Sequence, residues 1–257
     1  HMAEAIYESE ELLNQYLLFH YGSREQLFSK NFSLPLPDTS VFDFPQRCVL
    51  EGVDVAQLPA CGRALDLGCA VGRSSFELAQ IFDSVLGIDY SAAFIQAAQR
   101  MRLEGRHLIN RMIEGGRTHL EWVSLDASAM SYKVDFEVGD AMALRSDLGS
   151  FDCVLACNLI CRLRDPMRLI NRFAELVRPR GQLVITTPFT WLESFTPTDR
   201  WLSAGAKNSF SGLTQALEAE NQFKLDATWD MPFLIREHQR KFQFSISQAS
   251  RWIRALL

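Results

Sequence analysis

The segment ALDLGCAVGRSSFELA, residues 64–79, constrains the fold of this chain more than any other part of its sequence. A short apolar run ends in a turn that holds two glycines, and an amphipathic stretch follows immediately. We predict a strand, a tight turn and a helix, because glycine permits the turn and the later apolar residues recur at helical spacing. The start of that helix leaves backbone N–H groups free beside the turn. Such a turn is typical of the ligand-binding edge of a parallel sheet.

The same alternation of strands and helices continues along the chain and predicts an α/β fold. The predicted strands are 63–67, 85–89, 133–140, 151–158, 182–187, 223–237 and 240–248, and the predicted helices include 74–82, 91–104, 167–177 and 211–220. A short polar turn joins the last two strands, so we expect them to pair antiparallel. In the final strand we expect Phe242, Phe244 and Ile246 to share one buried face. The pattern predicts a Rossmann-like, mainly parallel seven-stranded sheet with a final antiparallel strand and helices on both faces.

Residues 3–61 precede this alternation, and we predict that they form an N-terminal helical cap. Helical periodicity with early acidic residues runs from Ala3 to Phe19, and a second short helix is predicted at 47–56. Prolines interrupt the segment between them, from Phe32 to Pro45. We expect this loop and the first helix to form a lid over a binding site. Residues 1–2, His-Met, are typical of a cloning scar, and we expect the chain to be a piece of a longer protein.

We predict that residues 62–257 form one α/β core. The alternation of strands and helices is interrupted at about 105–133 and 188–208, where we predict insertions. A chain of 257 residues with 47% hydrophobic residues can bury a full core without metal or disulfide cross-links. We therefore expect a single domain overall, in which the N-terminal cap folds onto the core.

The balance of charge argues against several classes of function. The chain holds 26 Lys and Arg residues against 31 Asp and Glu residues, which gives a formal charge of −5. Binding to nucleic acids or to anionic membranes relies on an excess of Lys and Arg, so we expect neither partner. The sequence shows neither an apolar run as long as a membrane span nor a secretory signal pattern. We therefore expect a cytoplasmic protein.

The spacing of cysteine and histidine argues against a metal site. The six cysteines include no C-x-x-C pair, and the histidines do not cluster. Cys153 and Cys157 lie in an apolar run that predicts a buried strand, so we interpret them as buried thiols. We expect no metal.

Asp66 distinguishes the glycine turn from a dinucleotide site. A dinucleotide-binding turn carries G-x-G-x-x-G, and the start of its helix holds phosphates. Here Ala70 replaces the middle glycine, Arg73 stands in place of the last, and the charge of Asp66 would repel a phosphate. An acid at this position suits a ligand that carries a cation. The spacing D-x-G-x-x-x-G is typical of enzymes that bind S-adenosylmethionine (SAM), which carries a sulfonium, an ammonium and a carboxylate and no phosphate.

Further polar residues follow the other predicted strands. Asp89 comes 21 residues after the first glycine of the turn, the spacing at which an acid accepts hydrogen bonds from ribose hydroxyls. Asp140 could accept from an adenine amino group, with the backbone of Ala141 and Met142 beside the ring. Asn158 ends the strand at 151–158. Because the carboxyl ends of parallel strands lie at one edge of the sheet, we expect these residues to line one site.

These motifs resemble the class I SAM-dependent methyltransferase superfamily. A more specific resemblance covers nearly the whole chain, from about Tyr7 to Trp252. It rests on NQYLLFHYG, DFPQRC, ALDLGCAVGRSSFELA, GIDYSAAFIQAA, FEVGDA, NLICRL, PRGQLVITTPFTWLESFTP and MPFLIREHQRKFQFS. The chain is similar to the methyltransferase domain at the C-terminus of ovothiol synthases, the 5-histidylcysteine sulfoxide synthase proteins with 4-mercaptohistidine N1-methyltransferase activity. The alanine at position 70 departs from the superfamily motif, and we expect it to be tolerated if its φ angle stays negative.

The resemblance implies an activity and a partner. The expected reaction is SAM-dependent methylation of the imidazole π-nitrogen of 5-thiohistidine, which gives ovothiol A and S-adenosylhomocysteine (SAH). In the parent proteins an iron-dependent sulfoxide synthase domain lies upstream, so that domain is the expected partner. Two alternatives remain open at this point. The chain could methylate another small heteroaromatic or thiol, or it could be a non-catalytic SAM-binding module that docks onto an upstream domain.

The candidate site residues fall into three groups. The expected cofactor-binding residues are Asp66, Gly68, Cys69, Ala70, Gly72, Arg73, Asp89, Tyr90, Ser91, Asp140, Ala141, Met142, Asn158 and Leu159. The expected acceptor-binding residues are Tyr16, His20, Arg47, Arg162, Thr187, Phe189 and Arg236. The candidate catalytic residues are Tyr21, Asn158 and His238. An arginine is expected to bind the carboxylate of an amino acid acceptor, because the guanidinium group matches a carboxylate with two hydrogen bonds. The sequence identifies no general base.

Overall fold

The structure, a computed structural model, describes residues 9–36 and 38–256. The predicted scar at 1–2, the first residues of the predicted N-terminal helix and Pro37 lie outside the described residues. The helices are α1 (Glu10–Tyr21), α2 (Arg24–Leu27), α3 (Phe44–Gly52), α4 (Arg73–Leu78), α5 (Ala92–Glu104), α6 (Pro166–Ile170), α7 (Phe173–Leu176) and α8 (Ser209–Glu218). The strands are β1 (Arg63–Leu67), β2 (Ser84–Asp89), β3 (Arg106–Glu114), β4 (Arg117–Ser124), β5 (Val134–Val138), β6 (Phe151–Cys157), β7 (Val177–Thr187), β8 (Phe223–His238) and β9 (Lys241–Arg254).

Seven strands form one sheet in the order β5-β2-β1-β6-β7-β9-β8. The strands from β5 to β7 pair in parallel, and β9 runs antiparallel to both of its neighbours. This topology confirms the predicted Rossmann-like fold, a mainly parallel seven-stranded sheet with a final antiparallel strand. Because β1 is flanked by β2 and β6, the glycine turn that follows β1 lies at the centre of the edge formed by the carboxyl ends of these strands.

The central strand alternates between two hydrophobic cores. Ala64 belongs to the core shared with α4 and α5, and Asp66 points to the same side because side chains two apart share a face. Leu65 and Leu67 belong to the core shared with α6, α7 and α8, and both are fully buried. Helices therefore cover both faces, as parallel sheets require.

The predicted insertion at 105–133 contains a β-hairpin. Strands β3 and β4 pair antiparallel and form a separate two-stranded sheet. Ile109 and Val123 lie on its buried face, whereas Leu108 and Trp122 are 36% and 40% exposed on the other. Helix α1 packs against this hairpin and against β8. The predicted helix at 167–177 is wrong in detail, because α6 and α7 are separate short helices and β7 begins at Val177.

The buried face predicted for the last strand is correct only at Phe242, which is half-buried and packs against the ring of Phe28. Phe244 and Ile246 are 53% and 54% exposed. Pairing between β7 and β9 begins at Thr187 and Gln248, so the part of the β8–β9 hairpin nearer its tip extends past the end of β7. The alternate residues of β9, Gln243 and Ser245, line the cavity described below. The period of two was predicted correctly, but after Phe242 the apolar side chains are exposed and the alternate side chains meet the cavity.

Candidate cofactor and acceptor site

A cavity of about 300 Å³ lies at the carboxyl ends of β1, β2, β5 and β6, a volume within the usual range of ligand pockets. It brings most of the predicted site residues together, although they come from five separate parts of the chain. These residues are Tyr16, His20, Asp66, Gly68, Cys69, Ala70, Asp89, Tyr90, Ser91, Asp140, Ala141, Met142, Asn158, Leu159 and Arg162. We call the part next to the three aspartates the cofactor half, and the part lined by α1, α3 and the β8–β9 hairpin the acceptor half.

The glycine turn uses left-handed backbone at three alternate positions. Gly68, Ala70 and Gly72 have φ angles of +65°, +48° and +96°. The condition under which alanine was expected to be tolerated at position 70, a negative φ angle, is therefore not met. Its backbone N–H donates to Oδ2 of Asp89 at 2.8 Å, and the left-handed turn brings the N–H to that carboxylate. An alanine in this conformation is strained by roughly 1–2 kcal/mol, which glycine avoids.

Gly72 and Arg73, which were predicted to bind the cofactor, do not line the cavity. A Cβ atom at Gly72 would lie 2.6 Å from Cζ of Phe136, so this glycine allows close packing of the turn against that ring. The guanidinium group of Arg73 is paired with Glu77 at 3.0 Å, and only its backbone N–H reaches a site residue, His20.

Asp66 is a buried carboxyl group at the end of β1, with 2% of its surface exposed. Its Oδ2 atom accepts a hydrogen bond from the hydroxyl of Ser75 at 2.7 Å. Burial raises the pKa of Asp66 from 3.8 to about 7; the Ser75 hydrogen bond opposes this and the charge of Asp89 adds to it. Within residues 9–36 and 38–256, no Lys or Arg forms an ion pair with Asp66. A cationic ligand would supply the missing positive charge, and SAM carries two cations, so Asp66 fits this cofactor.

Asp89 and Asp140 are held by their own backbones at the ends of β2 and β5. Oδ1 of Asp89 accepts from the N–H of Ser91 at 2.9 Å, and its Oδ2 accepts from the N–H of Ala70. Oδ1 of Asp140 accepts from the N–H of Met142 at 2.8 Å. Each carboxylate oxygen can accept a second hydrogen bond. Both acids line the cavity, where carboxylate oxygens can accept hydrogen bonds from ribose hydroxyls and an amino group.

The acceptor half is mainly aromatic. The rings of Phe19 on α1, Phe44 on α3 and Phe233 on β8 lie against one another, with centroid distances of 4.9–6.0 Å. Sequence reasoning missed Phe44 and Phe233 as site residues, together with Ile235, Gln243 and Ser245. The alternation of Phe233 and Ile235 was visible in the sequence, but which face of the hairpin meets the cavity was not.

His20 lines the cavity as a neutral ring. Its Nδ1 atom accepts a hydrogen bond from the backbone N–H of Arg73 at 3.2 Å. Burial and the nearby charge of Arg73 lower the pKa of His20 from 6.5 to about 3. A neutral ring whose Nδ1 accepts must carry its proton on Nε2. His20 is therefore a hydrogen-bond donor at Nε2 near neutral pH.

Asn158 follows β6 with a left-handed φ of +52°, which asparagine tolerates better than most residues. Its backbone N–H donates to the carbonyl of Thr186 at 2.7 Å. Its Oδ1 atom accepts from the hydroxyls of Thr186 and Ser247 at 3.1 Å and 2.7 Å. The next residue, Leu159, packs against Gly68, where a Cβ atom would lie 2.9 Å from Cδ1 of Leu159. Asn158 thus lies where the two halves of the cavity meet.

Four predicted acceptor or catalytic residues make structural contacts and do not line the cavity. The hydroxyl of Tyr21 donates to the carbonyl of Val71 at 2.6 Å, which ties α1 to the glycine turn. Arg47 donates to the carbonyls of Phe42 and Pro232 at 2.7 Å and 2.6 Å. Thr187 accepts from the N–H of Phe189 at 3.0 Å in the turn after β7, and the Phe189 ring packs near Trp191.

Arg236, predicted to bind the acceptor, and His238, predicted to be catalytic, also do not line the cavity. Arg236 is 2% exposed and donates to the carbonyls of Gln26 and Met112, both at 3.0 Å. Burial, with a smaller contribution from the charge of Arg111, lowers the pKa of Arg236 to about 10. His238 lies at the turn between β8 and β9, where its Nδ1 accepts from the N–H of Arg240. Arg236 therefore ties β8 to α2 and β3, and His238 stabilises the turn of the hairpin.

Arg162 is the one Lys or Arg among the described residues that line the cavity. Its guanidinium group donates to the carbonyl of Thr190 at 3.3 Å and lies 4.9 Å from the centre of the Phe195 ring. Of the three predicted arginines, only Arg162 is placed to meet a ligand carboxylate.

The described residues hold neither a metal-binding cluster nor a membrane-spanning helix. No cluster of three or more His, Cys, Asp or Glu side chains in this part of the chain is arranged to hold a metal ion. None of its helices combines the length and the apolar character that a membrane crossing needs.

The family described as "Methyltransferase domain" matches residues 65–185. Residues 65–185 form a methyltransferase domain. This range is thus a SAM-dependent methyltransferase domain, with SAM as its cofactor. The matched range contains the glycine turn, the three aspartates and Asn158, and it ends within β7.

Curated relatives of the methyltransferase domain act on different acceptors. The chain is 28% identical over 137 residues to phosphoethanolamine N-methyltransferase 3 of Arabidopsis thaliana, which is 53% of this chain and 23% of that protein. It is 27% identical over 139 residues to a ubiquinone biosynthesis O-methyltransferase of Xanthomonas axonopodis pv. citri, which is 54% of this chain and 48% of that protein. The chain thus spans from about a quarter to about half of the length of these relatives.

A solved structure extends the similarity of the methyltransferase domain to the rest of the fold. Magnesium protoporphyrin IX methyltransferase from Synechocystis PCC 6803, with bound SAH, aligns over 99% of this chain and 99% of its own. The TM-score is 0.55 and the sequence identity is 15%. At this identity the alignment shows a shared fold only. The identity of the methyl acceptor depends on the residues of the site and does not follow from the fold.

Proposed function

We propose that this methyltransferase transfers the methyl group of SAM to the imidazole π-nitrogen of 5-thiohistidine and forms ovothiol A. The residues that would contact the acceptor lie largely outside the matched range 65–185, on α1, α3 and the β8–β9 hairpin. The acceptors of the curated relatives are therefore weak guides here. The segments that carry the resemblance to ovothiol synthases, NQYLLFHYG and MPFLIREHQRKFQFS, include parts of α1 and the hairpin.

The observation that carries the proposal is the chemistry of the acceptor half. Its side chains are mostly aromatic or apolar, and the only carboxylates among the described lining residues are the three acids of the cofactor half. A protonated amine or a phenol must lose a proton before or during methylation, which favours a base beside the acceptor atom. An imidazole nitrogen with a free lone pair needs no such base. The planar ring also suits a pocket of Phe19, Phe44 and Phe233.

The reaction balances without a protein base when the acceptor binds as a neutral imidazole with a thiolate. The ring nitrogen forms the new N–C bond with its lone pair while the S–C bond of the sulfonium breaks. The sulfonium becomes a neutral thioether, and the ring becomes an imidazolium whose charge the thiolate balances. SAM, when bound, supplies an electrophilic methyl group.

The residues of this chain would align the acceptor and keep water away. Arg162 supplies a guanidinium group for the acceptor carboxylate. His20 offers its Nε2–H as a neutral hydrogen-bond donor. The phenyl rings of the acceptor half exclude water from the attack path, and alignment of two reactants can contribute roughly 7–11 kcal/mol to catalysis. We also propose that residues 3–61 act as the lid, since α1 and α3 contribute Tyr16, Phe19, His20, Phe44 and Cys48 to the cavity.

Turnover with a panel of acceptors tests the proposal. Purified protein is incubated with SAM and 5-thiohistidine, histidine or phosphoethanolamine, and products are identified by mass spectrometry. We expect N-methylated thiohistidine and no product from the other two compounds. SAM binding by calorimetry without turnover of thiohistidine would refute the proposal. It would instead favour a different heteroaromatic or thiol acceptor, or a SAM-binding docking module.

The resemblance also supports an upstream sulfoxide synthase domain as the partner. Because the product of such a domain would be a thiolated histidine derivative, the two activities would act in sequence. Mixing the separate domains should show whether they associate, by analytical ultracentrifugation at micromolar concentration. The absence of a complex would leave methylation intact and refute the partnership.

A further inference from the structure

Two buried hydroxyl groups, those of Thr186 and Ser247, hold the side chain of Asn158 at the cavity. We propose that Thr186 and Ser247 position Asn158 so that its side-chain NH2 group binds the anionic sulfur of the acceptor and directs methylation to nitrogen. The inference rests on the proposed function, since it concerns which atom of thiohistidine is methylated. It adds two positioning residues and one specificity-determining residue.

The geometry defines which end of the Asn158 carboxamide faces the acceptor. Oδ1 accepts hydrogen bonds from both hydroxyls, which uses its two lone pairs. Thr186 and Ser247 are each 0% exposed, so both hydroxyls lie behind the cavity wall. The amide nitrogen points away from Oδ1 in the planar group, and Asn158 lines the cavity. Within the described part of the chain, no hydrogen-bond partner is recorded for Nδ2.

The backbone fixes this side chain from a second direction. The N–H of Asn158 donates to the carbonyl of the same Thr186 whose hydroxyl holds Oδ1. Ser247 comes from β9, 89 positions along the chain, so strand pairing with β7 positions the second hydroxyl. Three hydrogen bonds from two strands therefore hold Asn158 before any ligand binds. A donor held in advance stabilises a charge more effectively than one that must reorient.

The sulfur of thiohistidine is a competing nucleophile. A thiolate is intrinsically more nucleophilic than an imidazole nitrogen, so an unrestrained acceptor would be methylated on sulfur. A charge-assisted hydrogen bond from the Asn158 NH2 group would hold the sulfur to one side and reduce the availability of its lone pair. The ring nitrogen would then face the reactive methyl group. This role differs from general base catalysis, since Asn158 neither gains nor loses a proton.

The ratio of S-methyl to N-methyl product measures the proposed role directly. The variants are Thr186→Val and Ser247→Ala, each of which removes one hydroxyl donor. Ser250→Ala is the matched control, because Ser250 is a buried serine of the same strand whose hydroxyl contacts Trp252 and which does not line the cavity. We expect the S-methyl fraction to rise at least about tenfold in the first two variants, the equivalent of about 1.4 kcal/mol. The S-methyl fraction should stay at the wild-type value in the control. Thr186→Ser keeps the hydroxyl, so its S-methyl fraction should also equal that of the wild type.

Asn158→Asp tests the direction of the amide. The aspartate keeps an oxygen for the two hydroxyls and places its second oxygen where the NH2 group was. We expect N-methylation to fall at least about 100-fold at pH 8, since two anions then face each other, and to recover partly toward pH 5.5 as the carboxyl is protonated. Melting temperature and SAM affinity are measured for every variant, and Thr186→Val and Ser247→Ala supply the answer if Asn158→Asp fails to fold.

The outcomes separate the inference from the proposed function. A wild-type protein that forms no methylated thiohistidine overturns the proposed function and the inference with it. A wild-type protein that forms the N-methyl product, with the same product ratio in Thr186→Val and Ser247→Ala, overturns only the inference. Wild-type N-methylation by Asn158→Asp at pH 8 would also overturn it, because the NH2 group would then be dispensable.

Discussion

Replacing Asp66 by Asn should stabilise the ligand-free protein at alkaline pH while weakening SAM binding. The folded protein raises the pKa of Asp66 from 3.8 to about 7 because the carboxyl is buried without a cation. Between pH 3.8 and about pH 7, Asp66 is protonated in the folded state and has lost its proton in the unfolded state. The free energy of unfolding therefore falls as pH rises through this window and levels off above pH 7.

The size of the effect follows from the shift. A pKa change of about three units corresponds to roughly 4 kcal/mol above pH 7, of which about 3 kcal/mol develops between pH 5 and pH 8. Asparagine does not titrate, and its oxygen can still accept the 2.7 Å hydrogen bond from Ser75. Relative to the wild type, the variant should gain stability between pH 5 and pH 8, by several degrees in melting temperature.

Thermal unfolding of both proteins at pH 5 and pH 8, without ligand, measures this gain. Asp152→Asn is the control, because Asp152 is a buried aspartate that does not line the cavity and accepts from Arg178 at 2.9 Å. It should lose stability at both pH values. Calorimetry at pH 8 should show that Asp66→Asn binds SAM at least about tenfold more weakly, because the cationic groups of SAM lose a carboxylate partner. An equal melting-temperature difference at both pH values, or unchanged SAM affinity, would refute the reasoning.

Three further predictions concern single residues of the cavity. Ala70→Gly should raise the free energy of unfolding by up to about 1 kcal/mol, because it removes the strain at φ +48°; a lower melting temperature would contradict this. Asp89→Ala should reduce SAM affinity by roughly 10- to 100-fold with the fold intact by circular dichroism, and unchanged affinity would show that Asp89 does not contact the cofactor. Arg162→Lys should raise KM for the acceptor about tenfold without changing SAM affinity, whereas Arg47→Lys should leave that KM unchanged; equal effects would contradict the assignment of the carboxylate site.

The cofactor half could be predicted from the sequence because its signals are local. Each of Asp66, Asp89 and Asp140 lies within two residues of the carboxyl end of its own strand, and parallel pairing brings the ends of neighbouring strands together. The same reasoning placed Gly68, Ala70 and Asn158 at the cavity. It could not predict that Ala70 is left-handed, because that angle depends on a hydrogen bond to Asp89 on another strand.

The acceptor half was predicted less well because its residues are brought together only by packing. Tyr16, His20 and Arg162 reach the cavity, but Arg47, Arg236 and His238 do not. All three arginines look alike in the sequence. The difference is that carbonyl groups of distant segments bind the guanidinium groups of Arg47 and Arg236, and such long-range contacts leave no local pattern.

The sequence by itself determined the alternation of strands and helices, the glycine turn and the acids that follow the strands, since these depend on backbone periodicity and on residues close along the chain. Only the tertiary structure decided which face of the β8–β9 hairpin meets the cavity, which arginine remains available, and that Ser247 holds Asn158. The physical reason is that these features depend on how far β8 and β9 extend past β7 and on contacts between segments tens to hundreds of residues apart.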